Sequence, residues 1–419
     1  MRPCAIGVDV GTSGVRAAAL ALNGAVCGQS SVAMASLGDS RAPMTWRRAV
    51  STCLAELGAT CDLSGVRGLA VDGTSGTMVA VDRQGAPIGV PLMYDAPCEV
   101  RDVLRAIEAQ APAESAARGR TSALARVLIL QKRPGAHRVL HQADWIAGWL
   151  LGRFDRSDAN NALKTGYDPI AGRWPDWIER AGADLDKLPI VVEPGEPLGP
   201  IGAEGAALGL PAAAIVHAGT TDGCASFLAT GAAEIGDAVT ALGSTLVIKL
   251  LCDKPISAPQ YGVYSHRIGD AWLAGGASNT GGAVIERLFG RDRLPALSAA
   301  LRPDRPTGLH YYPLSAPGER FPINDPDLPP RLEPRPADQK TFFQGVLEGV
   351  AEIEALAYRK LAELGAPVVR SIRTVGGGAA NAGWTEIRRR ILNAPFAPAR
   401  SQEACVGVAQ LVLRSMRPA

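Results

Sequence analysis

The sequence has few aromatic residues, no long apolar run, and almost no net charge. Only 5% of its 419 residues are Phe, Trp or Tyr, and 43 basic side chains stand against 41 acidic ones. A protein that binds nucleic acid through bulk charge needs a strong basic surplus, so this composition argues against that class. No run reaches the roughly 18 apolar residues that a membrane-spanning helix requires.

The eight cysteines are scattered and include no Cys-x-x-Cys pair. In a chain of this length, such spacing is typical of small buried hydrophobic residues in a reducing cytosol, rather than of a disulfide or zinc framework. Asp9 interrupts the first residues before any apolar run is long enough for a signal peptide. We therefore expect a cytoplasmic protein, and its length predicts two domains.

The opening residues predict an antiparallel meander of three strands. Apolar runs cover residues 5–10, 15–22 and 25–31, with the tight turn Gly11-Thr12-Ser13-Gly14 after the first and Asn23-Gly24 after the second. Asn-Gly between two apolar runs is a strong hairpin signal.

The second half of the chain repeats this pattern. Residues 238–242 and 246–251 read as two strands joined by the turn Gly243-Ser244-Thr245. Two strand-turn-strand units with small hydroxyl-bearing turns, about 230 residues apart, indicate an internal duplication. Further on, the apolar stripe of residues 342–364 predicts a long helix that ends at Gly365.

The chemistry of the Gly11-Thr12-Ser13-Gly14 turn favours an anion site. Glycine lets backbone N–H groups converge, and the two hydroxyl groups add donors, so the turn suits phosphate oxygens. Asp9 would repel a phosphate unless a cation lay between them, which suggests Mg²⁺ held through water. The alternative is an ordinary hairpin with a capping aspartate. The second turn at residues 243–245 favours the phosphate interpretation, because two facing hairpins can clamp a polyphosphate.

Three more glycine-rich segments follow strands, at residues 219–223, 275–282 and 376–381. Asn381 is expected to cap the next helix, and consecutive glycines permit a flat ring to approach the backbone. Asp222 either caps its helix or supplies a carboxylate at the junction of the two halves, where a substrate cleft would lie. The P-loop, the dinucleotide G-x-G-x-x-G and the H-E-x-x-H motifs are absent.

In this order, these segments resemble the FGGY carbohydrate kinases, a branch of the actin-like ATPase superfamily. The matching motifs are Asp9–Ser13, His141–Trp145 with Leu151-Gly152, Ser157–Ala162 with Thr165, Asp168 and Trp174, Leu347–Ala351, and Gly376–Gly378 with Asn381. The resemblance implies an α/β fold of two actin-like (ribonuclease H-like) domains with a central cleft. Residues 1–231 would bind the sugar and supply the first phosphate hairpin, and residues 232–419 would bind the nucleotide.

Within the family, the sugar-site motif Trp-x-Asp-x-Arg is replaced here by Met93-Tyr94-Asp95-Ala96-Pro97. Segments 72–77, 161–164 and 261–266 most resemble the compact cyanobacterial and plant-type D-ribulose kinases. The resemblance therefore implies ATP-dependent conversion of D-ribulose to D-ribulose 5-phosphate. D-xylulose, or another polyol or ketose, is the alternative substrate, and a nucleotide-driven switch of the actin type is a remote third interpretation.

The resemblance also implies roles for individual residues. Asp222 would be the general base, Asp9, Ser75 and Asp222 would hold the sugar, and Asp9 would hold Mg²⁺ through water. The ATP-binding residues would be Thr12, Ser13, Gly14, Val15, Gly243, Ser244, Thr245, Gly276, Gly376, Gly377, Gly378, Ala379, Ala380 and Asn381. The expected partners are a small sugar and ATP, without nucleic acid or membrane, for a monomer or homodimer.

Overall fold

The computed structural model describes residues 1–113 and 115–416. It divides into two compact units. The first contains residues 1–229 and 266–269 together with the C-terminal segment that begins at Glu403, and the second contains residues 230–265 and 270–402. This division differs from the two continuous domains predicted above, because the chain returns to the first unit at Glu403.

The described residues alternate between short strands and helices. The strands are β1 (Ala5–Val10), β2 (Gly14–Leu20), β3 (Val26–Ala33), β4 (Gly68–Gly73), β5 (Met78–Val81), β6 (Arg138–His141), β7 (Arg156–Asp158), β8 (Ile190–Val192), β9 (Pro197–Pro200), β10 (Ile215–Thr221), β11 (Asp237–Leu242), β12 (Leu246–Cys252), β13 (Tyr264–Ile268), β14 (Ala271–Ser278) and β15 (Ser371–Val375).

The helices follow the same chain order. They are α1 (Pro43–Thr60), α2 (Arg101–Gln110), α3 (Ala123–Leu130), α4 (Gln142–Leu151), α5 (Ala159–Leu163), α6 (Asp176–Arg180), α7 (Ala203–Ala207), α8 (Asp222–Ala229), α9 (Gly282–Phe289), α10 (Leu294–Ala299), α11 (Gln339–Glu363), α12 (Ala382–Leu392) and α13 (Ala404–Ser415). In the part of the chain that the structure describes, none of them is both long and apolar enough to cross a membrane.

The first unit is built on a sheet with the strand order β3-β2-β1-β4-β10-β9. Strands β1, β2 and β3 form the predicted antiparallel meander, and β4 runs parallel to both β1 and β10. Every residue of β1 and β4 is buried, as is usual for parallel strands covered on both faces. The carboxyl ends of β1, β4 and β10 consequently lie next to one another at one edge of the sheet.

Helices α1 and α13 cover opposite faces of this sheet. Ile6 and Val8 of β1 pack with Trp46 and other apolar residues of α1. Ala5 and Ala70, on the other face, pack with apolar residues of α13 such as Val408. The apolar face of α13 is therefore what brings the C-terminal segment back to the first unit.

Backbone-to-backbone contact between α13 and α8 requires glycine at position 407. A Cβ there would lie 1.7 Å from the Ala225 carbonyl oxygen. We expect Gly407→Ala to lower the free energy of unfolding by about 2–3 kcal/mol, because overpacking forces rigid backbone apart. Urea unfolding measures this effect, and Gly58→Ala in α1 is the control.

A Cβ at Gly58 meets only Leu63 Cδ1, at 3.5 Å. Because alanine is the better helix former, Gly58→Ala should be neutral or stabilising by up to about 1 kcal/mol. Equal stability of Gly407→Ala and the unsubstituted protein would contradict the close packing of α13 on α8.

The sheet of the second unit repeats the arrangement of the first. Strands β14, β12, β11 and β15 are neighbours in that order. The pairs β14–β12 and β12–β11 are antiparallel, and β11–β15 is parallel. This is the pattern of β3, β2, β1 and β4, so the two predicted strand-turn-strand segments occupy equivalent places in two similar sheets. The predicted long helix is α11.

Candidate functional site

Three carboxylates meet at the carboxyl ends of adjacent parallel strands in the first unit. Asp9 and Asp72 are register partners on β1 and β4, and Thr220 of β10 is the partner of Asp72 on its other side. Asp222 follows directly, at the start of α8, and its carboxylate is exposed. This edge is where α/β sheets commonly bind ligands.

The carboxyl groups of Asp9 and Asp72 lie in different electrostatic surroundings. Burial raises the pKa of Asp9, and the hydrogen-bonding and charged neighbours Asp72 and Arg16 partly oppose that rise. Burial, together with the charge of Asp9, holds the pKa of Asp72 well above its usual value. Arg16 Nη1 lies 3.4 Å from Asp9 Oδ2, and Arg16 Nε lies 3.3 Å from Glu403 Oε2. A cation placed beside Asp9 would therefore relieve the repulsion between neighbouring carboxylates.

Asp222 has a local structural contact as well as an exposed carboxylate. The backbone N–H of Gly223 donates to Asp222 Oδ1 at 2.7 Å. The Thr221 hydroxyl accepts from the N–H of Cys224 at 3.4 Å, so helix capping is shared between Thr221 and Asp222. One oxygen of Asp222 is thus held by the N–H of the next residue, at the exposed start of α8.

The first glycine turn presents its hydroxyl groups to solvent. Gly11 N–H donates to the Gly14 carbonyl at 3.0 Å, which closes the turn, and Thr12 and Ser13 are exposed. The structure places the Val15 side chain in the apolar core, so only its backbone faces the turn. A Cβ on Gly14 would lie 2.5 Å from the Val32 carbonyl oxygen. The close packing of this residue against β3 therefore requires glycine.

In the second unit, six of the predicted nucleotide-binding residues line a cavity of about 630 Å³. It is lined by Gly243, Ser244, Gly377, Gly378, Ala380 and Asn381, together with apolar side chains such as Phe343 and Trp384. Thr245, Gly276, Gly376 and Ala379 are not among its lining residues. The cavity is large enough for a nucleoside, and its apolar walls suit a planar base.

Several predicted glycines serve the protein's own packing. A Cβ on Gly276 would lie 2.6 Å from the Phe321 ring, and a Cβ on Gly376 would lie 2.8 Å from the Leu242 carbonyl oxygen. Only Gly377 of the triple-glycine segment has open space in its Cβ direction. Gly376 approaches Leu242 of β11, and Gly378 approaches both Leu242 and the Trp384 ring, so of the three glycines only Gly377 leaves room for a ring in its Cβ direction.

Asn381 joins two elements of the cavity wall. Its Oδ1 accepts from Trp384 N–H at 2.9 Å, which confirms the predicted helix cap, and its Nδ2 donates to Ser298 Oγ at 2.9 Å. Each end of the amide thus makes one hydrogen bond within the protein. Asn381 shapes the cavity by holding α10 against the start of α12.

Asp72 and Ser298 were not among the predicted site residues, and Gly281 and Gly282 were noted only as the end of the glycine-rich segment 275–282. Gly282 N–H donates to the Gly243 carbonyl at 2.8 Å, and a Cβ on Gly281 would lie 2.7 Å from Thr245 Cα. The backbone of this glycine pair therefore packs directly against the second turn, residues 243–245. The available signal for Asp72 was its position in Val71-Asp72-Gly73-Thr74-Ser75, which resembles the segment around Asp9.

Comparison with known proteins identifies related sequences. Residues 239–416 match the model of the FGGY family of carbohydrate kinases, C-terminal domain. The xylulose kinase of Escherichia coli (strain K12) is 24% identical over 417 residues, which cover 91% of this chain and 83% of that protein. The gluconokinase of Bacillus subtilis (strain 168) is 26% identical over 46% of this chain and 42% of its own length.

Solved structures share the fold along nearly the whole chain. The xylulose kinase from Rhodospirillum rubrum is similar with a TM-score of 0.83 and 24% identity, over 98% of this chain and 90% of that one. The Plasmodium falciparum glycerol kinase with ADP has a TM-score of 0.81 and 13% identity, over 99% and 90% of the two chains. The predicted α/β class with two actin-like domains is confirmed.

Proposed function

We propose that the protein is a carbohydrate kinase of the FGGY type, whose C-terminal domain model matches residues 239–416, and that it transfers the terminal phosphoryl group of ATP to a ketopentose. D-ribulose is the first candidate substrate, since segments 72–77, 161–164 and 261–266 resemble D-ribulose kinases. D-xylulose is the second candidate, because two related sequences are named xylulose kinases.

The observation that carries this proposal is the group of carboxylates at the ends of β1, β4 and β10. Transfer of a phosphoryl group to an alcohol needs a proton acceptor near the hydroxyl group and compensation of phosphate charge. Asp222 is exposed and held by the Gly223 N–H, so it suits the role of general base. Asp9, Ser75 and Asp222 would hold the sugar in the orientation that the reaction requires.

In the second unit, the nucleotide would use the cavity and the glycine turn at residues 243–245. Thr12 and Ser13 of the first turn, and Ser244 and Thr245 of the second, offer hydroxyl donors to phosphate oxygens. The apolar wall that includes Trp384 would contact the base, and Gly377 leaves room for it. The role proposed for Gly376 and Asn381 is to determine the shape of the cavity.

The residues around Asp9 fit Mg²⁺. Mg²⁺ prefers oxygen ligands and commonly binds through one or two carboxylates, water and substrate phosphates. Asp9 and Asp72 offer adjacent carboxyl groups from register-paired positions of β1 and β4, and Asp72 is completely buried. Asp9 would hold the ion through water, as predicted. When bound, Mg²⁺ would neutralise charge on the phosphate oxygens.

We expect Asp9→Asn to raise the Mg²⁺ concentration needed for half-maximal turnover by about 10- to 100-fold, as is usual when an outer partner of a metal is lost. Titration of Mg²⁺ at fixed ATP measures the change. Asp102→Asn is the control, since the Asp102 side chain is 85% exposed on α2. An unchanged Mg²⁺ requirement in Asp9→Asn would remove Asp9 from the metal site.

The experiment that tests the proposed function is a sugar panel with Mg²⁺ and ATP in a coupled assay of ADP release. The panel contains D-ribulose, D-xylulose, L-ribulose, D-gluconate and glycerol. We expect the highest kcat/KM with D-ribulose. A preference for D-xylulose would establish the second candidate, and ADP release that ignores every sugar would favour a nucleotide-driven switch.

A further inference from the structure

Buried polar atoms without partners are concentrated beside the loop that follows β4. Among the described residues, no hydrogen-bond partner is found for Ser75 Oγ, Arg126 Nε, or either ring nitrogen of His141. His141 is only 2% exposed. An unpaired buried polar group costs about 1–3 kcal/mol, so a folded protein that keeps one usually has a use for it.

Hydrogen bonds fix this loop, residues 74–77, against the start of α4. The backbone N–H and hydroxyl group of Thr74 donate to Gln142 Oε1 at 3.1 and 2.8 Å. Gln142 N–H donates to the Thr77 carbonyl at 3.0 Å, and His141 is the register partner of Met78. His141 therefore lies where the loop of Ser75 meets the first residue of α4.

Arg126 connects the same loop to the segment that replaces the family's sugar-site motif. Its Nη1 donates to the Gly76 carbonyl at 3.2 Å, and its Nη2 donates to the Tyr94 carbonyl at 2.5 Å. Tyr94 N–H donates to Thr77 Oγ1 at 3.2 Å. These bonds occupy the forked end of Arg126 with backbone carbonyls, so this arginine is a scaffold and does not replace the arginine missing from the motif.

The His141 ring is in its neutral form in this setting. Burial, and then the charges of Arg126 and Lys164, lower the pKa of His141 to about 3. A neutral imidazole has one donor nitrogen and one acceptor nitrogen. A sugar hydroxyl can pair with either of them, because it both donates and accepts, whereas a carboxylate can only accept.

We propose that His141, together with Ser75, binds hydroxyl groups of a neutral sugar and thereby contributes to the choice of phosphoryl acceptor. This inference rests on the proposed kinase function and deepens it. A hydroxyl group placed against the ring can pair with either nitrogen, whereas a carboxylate placed there can pair only with the donor nitrogen.

The test compares His141→Leu and His141→Gln with the unsubstituted protein. Leucine is apolar and of similar size, so we expect the KM for the preferred sugar to rise about 10- to 100-fold while the KM for ATP stays unchanged. The melting temperature in the absence of sugar should stay equal or rise, because an unpaired buried polar group is removed. Glutamine keeps a donor and an acceptor and should lose less sugar affinity.

His137→Gln is the matched control, because His137 precedes β6 and is exposed. It should change neither KM. A structural role for His141 would produce the opposite pattern, in which His141→Leu lowers the melting temperature and leaves the sugar KM unchanged. That result would overturn the inference.

A failure of the proposed function is recognised separately. If the unsubstituted protein phosphorylates no sugar of the panel, sugar binding is measured directly by the rise in melting temperature with D-ribulose, D-xylulose or ribitol. A rise in the unsubstituted protein that is lost in His141→Leu would still support the inference. No rise with any of these compounds, or an equal rise in both proteins, would refute it.

Discussion

Asp222→Asn is expected to lower kcat by about 10²- to 10⁴-fold, the usual contribution of a general base. Asparagine has nearly the same shape, and its Oδ1 can still accept the 2.7 Å hydrogen bond from Gly223 N–H. The start of α8 should therefore be preserved. What is lost is the ability to accept the proton of the attacking hydroxyl group.

Three measurements separate this role from a structural one. Circular dichroism and calorimetric titration with ATP should give unchanged results for Asp222→Asn, whereas turnover of the preferred sugar falls. Asp186→Asn is the control, since Asp186 is an exposed carboxylate of the same unit, outside the site. Near-normal turnover in Asp222→Asn would remove Asp222 from the role of base.

Arg388→Met is expected to destabilise the second unit by about 3–5 kcal/mol, the usual effect of removing one partner of a buried ion pair. Arg388 Nε and Nη2 donate to the two oxygens of Glu354, both at 2.7 Å. Neither side chain is exposed to solvent. The substitution would leave the Glu354 charge buried without its partner.

The pair also connects four elements of the unit. Arg388 on α12 donates to Thr374 of β15, and Glu354 on α11 accepts from the Thr240 hydroxyl of β11. Tyr358 completes the cluster through a 2.8 Å contact with Thr240. Loss of the guanidinium therefore weakens the attachment of both helices to the sheet.

Urea unfolding measures this prediction, with Arg389→Met as the control. Arg389 pairs with Glu386 on the exposed side of the same helix, where an ion pair contributes about 0.2–1 kcal/mol. The double variant Arg388→Met/Glu354→Leu should be more stable than Arg388→Met, because it leaves no unpaired charge. If Arg388→Met and Arg389→Met unfolded at the same urea concentration, the buried ion pair would contribute no more to stability than the exposed one.

Local patterns were sufficient for the strands and turns near the two glycine segments. The meander of β1, β2 and β3, the later β11–β12 pair, and the Asn381 cap depend on residues close together in the chain. Apolar runs, an Asn-Gly turn and a capping side chain report such short-range structure directly.

Long-range packing accounts for what sequence reasoning missed. Asp72 joins Asp9 only because β4 pairs with β1 in a particular register. Gly276 leaves room for the Phe321 ring, and Gly376 leaves room for the Leu242 carbonyl oxygen. Both contacts join residues that are far apart in the sequence. The return of α13 to the first unit likewise follows from its apolar face, not from a boundary signal.

Local periodicity and turn residues were therefore enough to predict the duplicated hairpins, whereas the α/β class and Asp222 as a candidate base came from the resemblance of the ordered motifs to a known family. The neighbours of each carboxylate, the glycines that line a cavity and the buried polar side chains without a partner are set by tertiary packing. Those properties depend on strand register and on contacts between residues far apart in the chain, which no local pattern records.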